Sequence, residues 1–447
     1  MLKKPELLAP AGTLKTMQYA FAYGADAVYA GQPRYSLRVR NNDFHGENLE
    51  KGINEAHRLG RKFFLTTNIM PHNSKVKTFL ADMEPVVAMG PDALIMADPG
   101  LIHMVRERWP EMPIHLSVQA NTTNYAAVKF WQSIGVERII LSRELSLDEI
   151  AEIRQQAPDM ELEVFVHGAL CIAYSGRCLL SGYFNHRDPN QGTCTNACRW
   201  DYKTVEAEET EEGIIQKADL PAETVDAVEV QFDAERHPLA DKVYLLEEAG
   251  RPGEQMPIME DEHGTYIMNS KDLRAIEHVH NLVQMGIDCL KIEGRTKSYY
   301  YAARTTQSYR QAIDDAAAGK PFDPVLLADL ESLASRGYTD GFYQRHHTQD
   351  YQNYIQGISR ESRQKVVGEV LERDEKTGLV AIDVKNKFAV GDRLQLIWPG
   401  GKKDLLLKHM EDMHANPLAE APGGGWKVRI PLDGDHLDKA FIARYLS

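Results

Sequence analysis

Residues 6–31 read ELLAPAGTLKTMQYAFAYGADAVYAG. ELLAP (6–10) and ADAVYAG (25–31) are short, nearly continuous apolar runs, the pattern of strands buried on both faces. Between them TLKTMQYAFAYG (13–24) has helical periodicity. A strand, a helix and a strand at this spacing predict one βαβ unit. The pattern recurs in KFFLTTN (62–68), DALIMADPG (92–100), IHLSVQANTTN (114–124), RIILSREL (138–145), LEVFVHGAL (162–170) and IDCLKIEGR (287–295). Helix-period segments lie between most of them, such as ENLEKGINEAHRLG (47–60) and SLDEIAEIRQQA (146–157). Ser146 and Glu149 have the spacing of a capping box. Eight strands alternating with helices predict an α/β fold of the (β/α)8-barrel type. A doubly wound open sheet is the alternative, but no G-x-G-x-x-G follows the first strand.

The interval from about 169 to 286 is too long for one helix. It predicts a cysteine-rich segment followed by an acidic inserted subdomain at 199–268 with some β structure. SKDLRAIEHVHNLVQMG (270–286) reads as the postponed seventh helix with Ser270 as N-cap, and YYYAARTTQSYRQAIDDAAAG (299–319) as the eighth. After about 362 the texture becomes strand-like with closely spaced turns, which predicts a small closed β-barrel domain over 363–447. The expected organisation is a barrel domain over 1–362, interrupted by the insertion, and that C-terminal domain.

The chain has 447 residues and a formal net charge of −14. Overall acidity argues against nucleic-acid binding except through a local basic face. No secretory signal and no run long enough for a membrane helix are visible, so a cytoplasmic protein without a membrane partner is expected. Four of the five cysteines lie in HGALCIAYSGRCLLSGYFNHRDPNQGTCTNAC (167–198), spaced C-x6-C-x15-C-x3-C. A cytoplasmic setting argues against disulfides, and the polar surroundings of Cys194 and Cys198 argue against simple packing. Clustered cytosolic cysteines point to metal or redox chemistry. Cys289 lies in an apolar strand pattern and reads as a packed thiol.

A (β/α)8 barrel carries its active site at the C-terminal ends of its strands. That rule selects Arg34, Arg38 and Arg40 after strand two, Thr67 and Asn68 after strand three, and Gln119, Asn121 and Asn124 after strand five. It further selects Arg143 and Glu144 after strand six, His167 on strand seven, and Lys291, Glu293, Arg295 and Lys297 on and after strand eight. Each has an ordinary reading as a surface ion pair, a turn cap or a core histidine. Their convergence suits an anionic small molecule or a phosphate. His167 and Glu293 are the candidate catalytic residues. Arg38, Asn68, Gln119, Asn121, Arg143, Lys291 and Arg295 are the candidate substrate-binding set.

No H-E-x-x-H, no G-x-S-x-G and no P-loop is present. A Cys171–His167 peptidase dyad is conceivable, but leaves the other cysteines unexplained. The C-x3-C-x2-C run of radical S-adenosylmethionine enzymes is absent. Zinc and iron–sulfur clusters both accept four thiolates, and the six-residue gap of the first pair fits zinc knuckles poorly.

EVFVHGALCIAYSGRCLLSGY resembles the signature of the U32 peptidase family. ELLAPAG, ADAVYAG and KIEGRTKS resemble other segments of that family, and the resemblance spans essentially the whole chain. It is nearest to the branch that converts wobble uridine of tRNA to 5-hydroxyuridine. The resemblance implies a [4Fe–4S] cluster ligated by Cys171, Cys178, Cys194 and Cys198, with Cys289 as a remote alternative for the fourth position. It further implies prephenate as co-substrate and oxygen-independent hydroxylation. It leaves a place for an electron-transfer or accessory protein, and collagenase-like peptidase activity is the alternative. Prephenate is a dicarboxylate, so Arg38, Arg143 or Arg295 would pair with it. The anticodon region of tRNA would meet Arg295, Lys297, Arg304 and Arg310, interleaved with Tyr299, Tyr300 and Tyr301, or the C-terminal barrel at Lys402, Lys403 and Lys408.

Overall fold

The computed structural model describes residues 2–37, 42–170, 174–178, 272–331, 333, 338–344, 364–432 and 437–446, and the backbone of six strands between 202 and 265. Eight parallel strands form a closed barrel: β1 (Glu6–Pro10), β2 (Ala27–Gly31), β3 (Lys62–Thr67), β4 (Ala93–Met96), β5 (Ile114–Leu116), β6 (Arg138–Ile140), β7 (Glu161–Ala169) and β8 (Cys289–Ile292). Each pairs with its sequence neighbour, and β8 closes the ring by pairing with both β7 and β1. All eight lie where the apolar runs place them. The helices between them are α1 (Leu14–Ala22), α2 (Glu47–Arg58), α3 (Phe79–Ala88), α4 (Pro99–Arg108), α5 (Tyr125–Ser133), α6 (Leu147–Gln156), α7 (Val279–Met285) and α8 (Tyr299–Ala317). Thr13, Asp98, Asn124, Ser146 and Ser298 each cap a helix start with a side-chain oxygen. At Ser146 the full capping box forms, as the spacing predicts.

The seventh helix departs from expectation. It is confined to α7, preceded by a 3-10 turn at Ile276–His278 and a strand at Asp272–Arg274. That strand pairs antiparallel with the end of β7, Asp272 opposite Ala169 and Arg274 opposite His167. Long-range backbone pairing here overrides a local helical pattern. The expected N-cap, Ser270, lies outside the described residues. Gly168 marks the place where β7 exchanges partners. Its φ is +104°, and an added Cβ would stand 2.5 Å from the Glu293 carbonyl oxygen, so only glycine fits.

Residues 196–270 form a compact unit of their own, with a four-stranded antiparallel sheet led by Tyr202–Glu209 and Tyr244–Glu248. From Gln364 onward the chain forms a seven-stranded antiparallel sheet and a two-stranded ladder around one core, including Val367, Ile382, Leu394, Leu396, Val428 and Ile442. No ladder joins its edge strands, Gly401–Leu406 and Glu411–Asp412, among the described residues. This domain packs on α1 and α8. Phe441 sits among Tyr19, Tyr299 and Tyr300 at ring separations of 5.1, 5.7 and 5.0 Å.

Candidate active site at the barrel mouth

Interiors of (β/α)8 barrels are usually filled by branched apolar side chains. Here a column of alternating charge runs through the middle. Lys62 Nζ lies 2.8 Å from Glu6, and Glu6 2.6 Å from Arg138 Nη1. Arg138 is 3.5 Å from Glu163, and Glu163 2.7 Å from Lys291 Nζ. Strand alternation explains it, because β8 turns Cys289, Lys291 and Glu293 inward and β7 turns Glu163 and Phe165 inward; a register shift then sets His167 opposite Ile292, on the face toward α8. Each buried charge has a partner, as burial demands.

Above Lys291 the column opens into the mouth. The Lys291 ammonium stands 4.3 Å from the Tyr29 ring centroid. The single Tyr29 hydroxyl proton is shared between Glu293 Oε2 at 3.1 Å and the Ile292 carbonyl at 3.0 Å. The Arg143 guanidinium carbon stands 3.8 Å from the Phe165 ring centroid, and its Nη2 3.9 Å from Glu293. Arg295 donates Nη1 to Thr66 Oγ1 at 2.7 Å and Nη2 to the Leu37 carbonyl. Gly31 makes room for it, since an added Cβ would stand 2.4 Å from Arg295 Nη1. Asn68, Ser117 and Gln119 form one hydrogen-bonded group across the ends of β3 and β5. Asn121, left-handed at φ +51°, donates Nδ2 to the Gln119 carbonyl and to the Ser175 carbonyl, each at 3.0 Å. It thereby ties the β5 loop to the turn just before Cys178.

The candidate residues therefore divide. Asn68, Gln119, Arg143, Glu293 and Arg295 meet at the mouth, with Asn121 at its edge. Lys291 does not join them; it lies one layer deeper, held by Glu163. His167 is fully enclosed by Tyr301, Tyr309 and Tyr338. The Tyr309 hydroxyl donates to the Val166 carbonyl at 2.6 Å, so at 3.3 Å it accepts from His167 Nδ1. Nε2 then accepts from Tyr338 at 3.3 Å. Burial, with Arg274 and Lys297 nearby, holds its pKa down to about 3. With both nitrogens engaged and the ring neutral, His167 is a buried structural residue and no free acid or base, contrary to its selection as a candidate catalytic residue. Tyr29, Ser117 and Glu163 belong to the site and were not singled out from sequence; strand alternation was the signal for Tyr29.

Arg38, Arg40, Cys171, Cys194 and Cys198 lie outside the described residues. Cys178 is half-buried, and Leu170, the residue before Cys171, is buried at the end of β7. Cys289 is opposite Glu163 in the register, seven residues below Leu170, or about 20 Å along the strands. Burial, then Glu163, pushes its thiol well up, the opposite of what a thiolate ligand needs. A soft four-thiolate donor set suits an iron–sulfur cluster, and Cys289 is unsuited to join it.

The segment expected to meet RNA does something else. Arg304 is 1 % exposed and paired to Asp329 at 3.2 Å. Arg310 pairs with Asp26 and Asp314. Tyr299 and Tyr300 line the seam with the C-terminal domain, and Tyr301 donates to the Glu293 carbonyl at 2.9 Å. Helix α8 buries Tyr301, Arg304 and Tyr309, whereas Tyr299, Tyr300 and Arg310 are half-buried and engaged by neighbouring residues. Lys402 is also engaged, 2.5 Å from Asp329.

Comparison with known proteins agrees with this architecture. Residues 12–353 match the model of peptidase family U32, and residues 362–444 that of the peptidase family U32 C-terminal domain. The chain is 62% identical over 447 residues to tRNA hydroxylation protein P of Escherichia coli, covering 99% of this chain and 97% of that protein. It is 58% identical over 445 residues to the protein of that name in Haemophilus influenzae, covering 99% and 96%. It is 30% identical over 351 residues to the E. coli 23S rRNA 5-hydroxycytidine C2501 synthase, covering 75% of this chain and 45% of that one. The chain thus belongs to the U32 peptidase family.

Proposed function

We propose that this protein is a tRNA-modifying enzyme that hydroxylates wobble uridine 34 to 5-hydroxyuridine without molecular oxygen. The observation that carries the reading is near full-length identity of 62% to a protein named for tRNA hydroxylation. Prephenate is the proposed co-substrate, and Arg143, poised on Phe165 beside Glu293, is the cation best placed for one of its carboxylates. Arg295 acts less directly, by holding the β2–α2 loop through Leu37. Cys171, Cys178, Cys194 and Cys198 would hold a [4Fe–4S] cluster, which supplies one-electron or Lewis-acid chemistry when bound. Glu293 is the group at the mouth able to move a proton, with Tyr29 fixing its carboxylate. A peptidase reading gains nothing from His167, whose ring is neutral, buried and bonded on both sides.

The test is anaerobic purification with iron, sulfide and visible-absorbance analysis, and mass spectrometry of tRNA nucleosides from cells lacking the gene. Parent protein should be coloured, Cys178→Ser should lose iron, and Cys289→Ser should retain it. Cells lacking the gene should lose 5-hydroxyuridine and regain it with the parent gene. Colourless protein that cleaves peptides, with tRNA unchanged in the deletion, would overturn the proposal.

A further inference from the structure

A hydrogen-bond chain around half the mouth has a fixed direction. Arg295 donates to the Leu37 carbonyl, and the Leu37 backbone N–H donates to Asn68 Oδ1 at 3.2 Å. A backbone N–H can only donate, so this bond settles which way the Asn68 carboxamide faces. Asn68 Nδ2 then donates to Ser117 Oγ at 3.1 Å and Gln119 Oε1 at 3.2 Å. Ser117 donates to the same Gln119 oxygen. With Oε1 accepting twice, the Gln119 amide cannot turn over, and its Nε2 becomes the outward end of the chain. Among the described residues no acceptor takes it. Gln119 is partly exposed, in the 3-10 turn Val118–Ala120 that follows β5 at the mouth.

We propose that Gln119 is a specificity-determining residue, a locked donor that reads a ring carbonyl of the target pyrimidine and selects uracil over cytosine. The inference rests on the reading that the mouth receives a tRNA base. Uracil offers the O4 acceptor where cytosine offers the N4 amino donor. A fixed donor facing O4 forms a bond; facing N4 it leaves two donors opposed, and a site built for a hydrogen bond rejects a base that cannot complete it. The choice is a real one within the family, because one relative is named for 5-hydroxycytidine. Asn68 is the positioning residue, since it transmits the Leu37 polarity to Gln119.

Two substitutions reverse the polarity by different routes. Gln119→Glu replaces the donor by an acceptor. Asn68→Asp leaves the Leu37 bond in place but presents an acceptor to Gln119, which must turn its amide and expose Oε1. Full-length protein is titrated against two fluorescent anticodon stem-loops that differ only in U or C at the wobble position, and the ratio of Kd values is read. Thermal unfolding checks that each variant is folded. The parent should favour U by about tenfold or more. Gln119→Ala should bring the ratio near one, and Gln119→Glu and Asn68→Asp should invert it, even if added negative charge weakens both affinities. Equal parental affinity for U and C, or a parental ratio retained in Gln119→Ala, would overturn the inference while leaving RNA binding at the mouth intact. A parent that binds neither stem-loop would instead overturn the proposed function.

Discussion

Two buried histidines of the barrel domain are held neutral, His115 in the barrel interior and His167 between β7 and α8, and each makes stability depend on pH. His115 on β5 is buried, stacked edge-on against Phe64 at 4.6 Å, and burial, then Arg138, Lys291 and Lys62, lower its pKa well below the ordinary value. His167 is lowered to about 3 in the same way. In the unfolded chain each titrates near ~6.5. Between the two values the unfolded state binds a proton that the folded state does not, so stability is full above ~6.5 and falls as pH drops. The urea midpoint of the parent should therefore decline from pH 7.5 to 5. His115→Leu should decline less steeply, by up to about 1.4 kcal/mol per pH unit. An unchanged slope would mean that His115 is protonated within the fold. How far such residues were legible varies. The end of β7 marked His167 as a residue of interest, but its role is set by Tyr309 and Tyr338, 142 and 171 residues away. Periodicity locates a residue on its own element; it says nothing about which distant ring closes over it.

At the scale of elements, β8 carries the decisive alternation. The run Cys289–Leu290–Lys291–Ile292–Glu293 looks apolar enough for a buried strand, and it is one, yet its inward face holds a cation and a carboxylate. The Lys291–Glu163 pair is almost wholly enclosed. Removing only one partner strands a charge in the core and should cost about 3–5 kcal/mol, whereas removing both can cost far less. Lys291→Met and Glu163→Gln should each lower the denaturation midpoint strongly, and the double variant should recover much of the loss. Additive losses in the double-mutant cycle would show that the column does not act as a unit. The eight strands and most helices were readable because each is a local apolar pattern ended by a turn signal. The strand Asp272–Arg274 was not, because its partner is the prolonged end of β7. Arg304 misled for a related reason: a helix covered on its outer face by a second domain buries charges that would otherwise face water.

Over the whole molecule, acidity is not spread evenly. Residues 196–270 hold six Lys and Arg against nineteen Asp and Glu, a net of −13 out of −14, so the barrel and C-terminal domain together stand at −1. The overall charge thus gives little reason to exclude RNA from the barrel mouth. The C-terminal domain is fixed to that barrel at an aromatic seam. Glu369 accepts from Tyr19 at 2.6 Å and Tyr299 at 2.8 Å, and Lys15 stands 2.7 Å away. Burial raises its carboxyl pKa, but bonds from Lys15, Tyr19 and Tyr299 outweigh this and keep it below the usual range. Tyr23 donates its hydroxyl to the Lys439 carbonyl at 2.9 Å, with the Ile397 carbonyl at 3.3 Å, and Phe441 fills the space between the rings. Such a seam makes the domain part of the barrel's own covering. Phe441→Ala should open a void among the tyrosines and cost about 3–5 kcal/mol. A chain ending at 362 should expose Tyr19, Tyr23, Tyr299 and Tyr300 together and be insoluble or bind a hydrophobic dye. A soluble, monomeric truncated chain with the parental melting temperature would refute that role and leave the domain free to serve as a separate RNA platform.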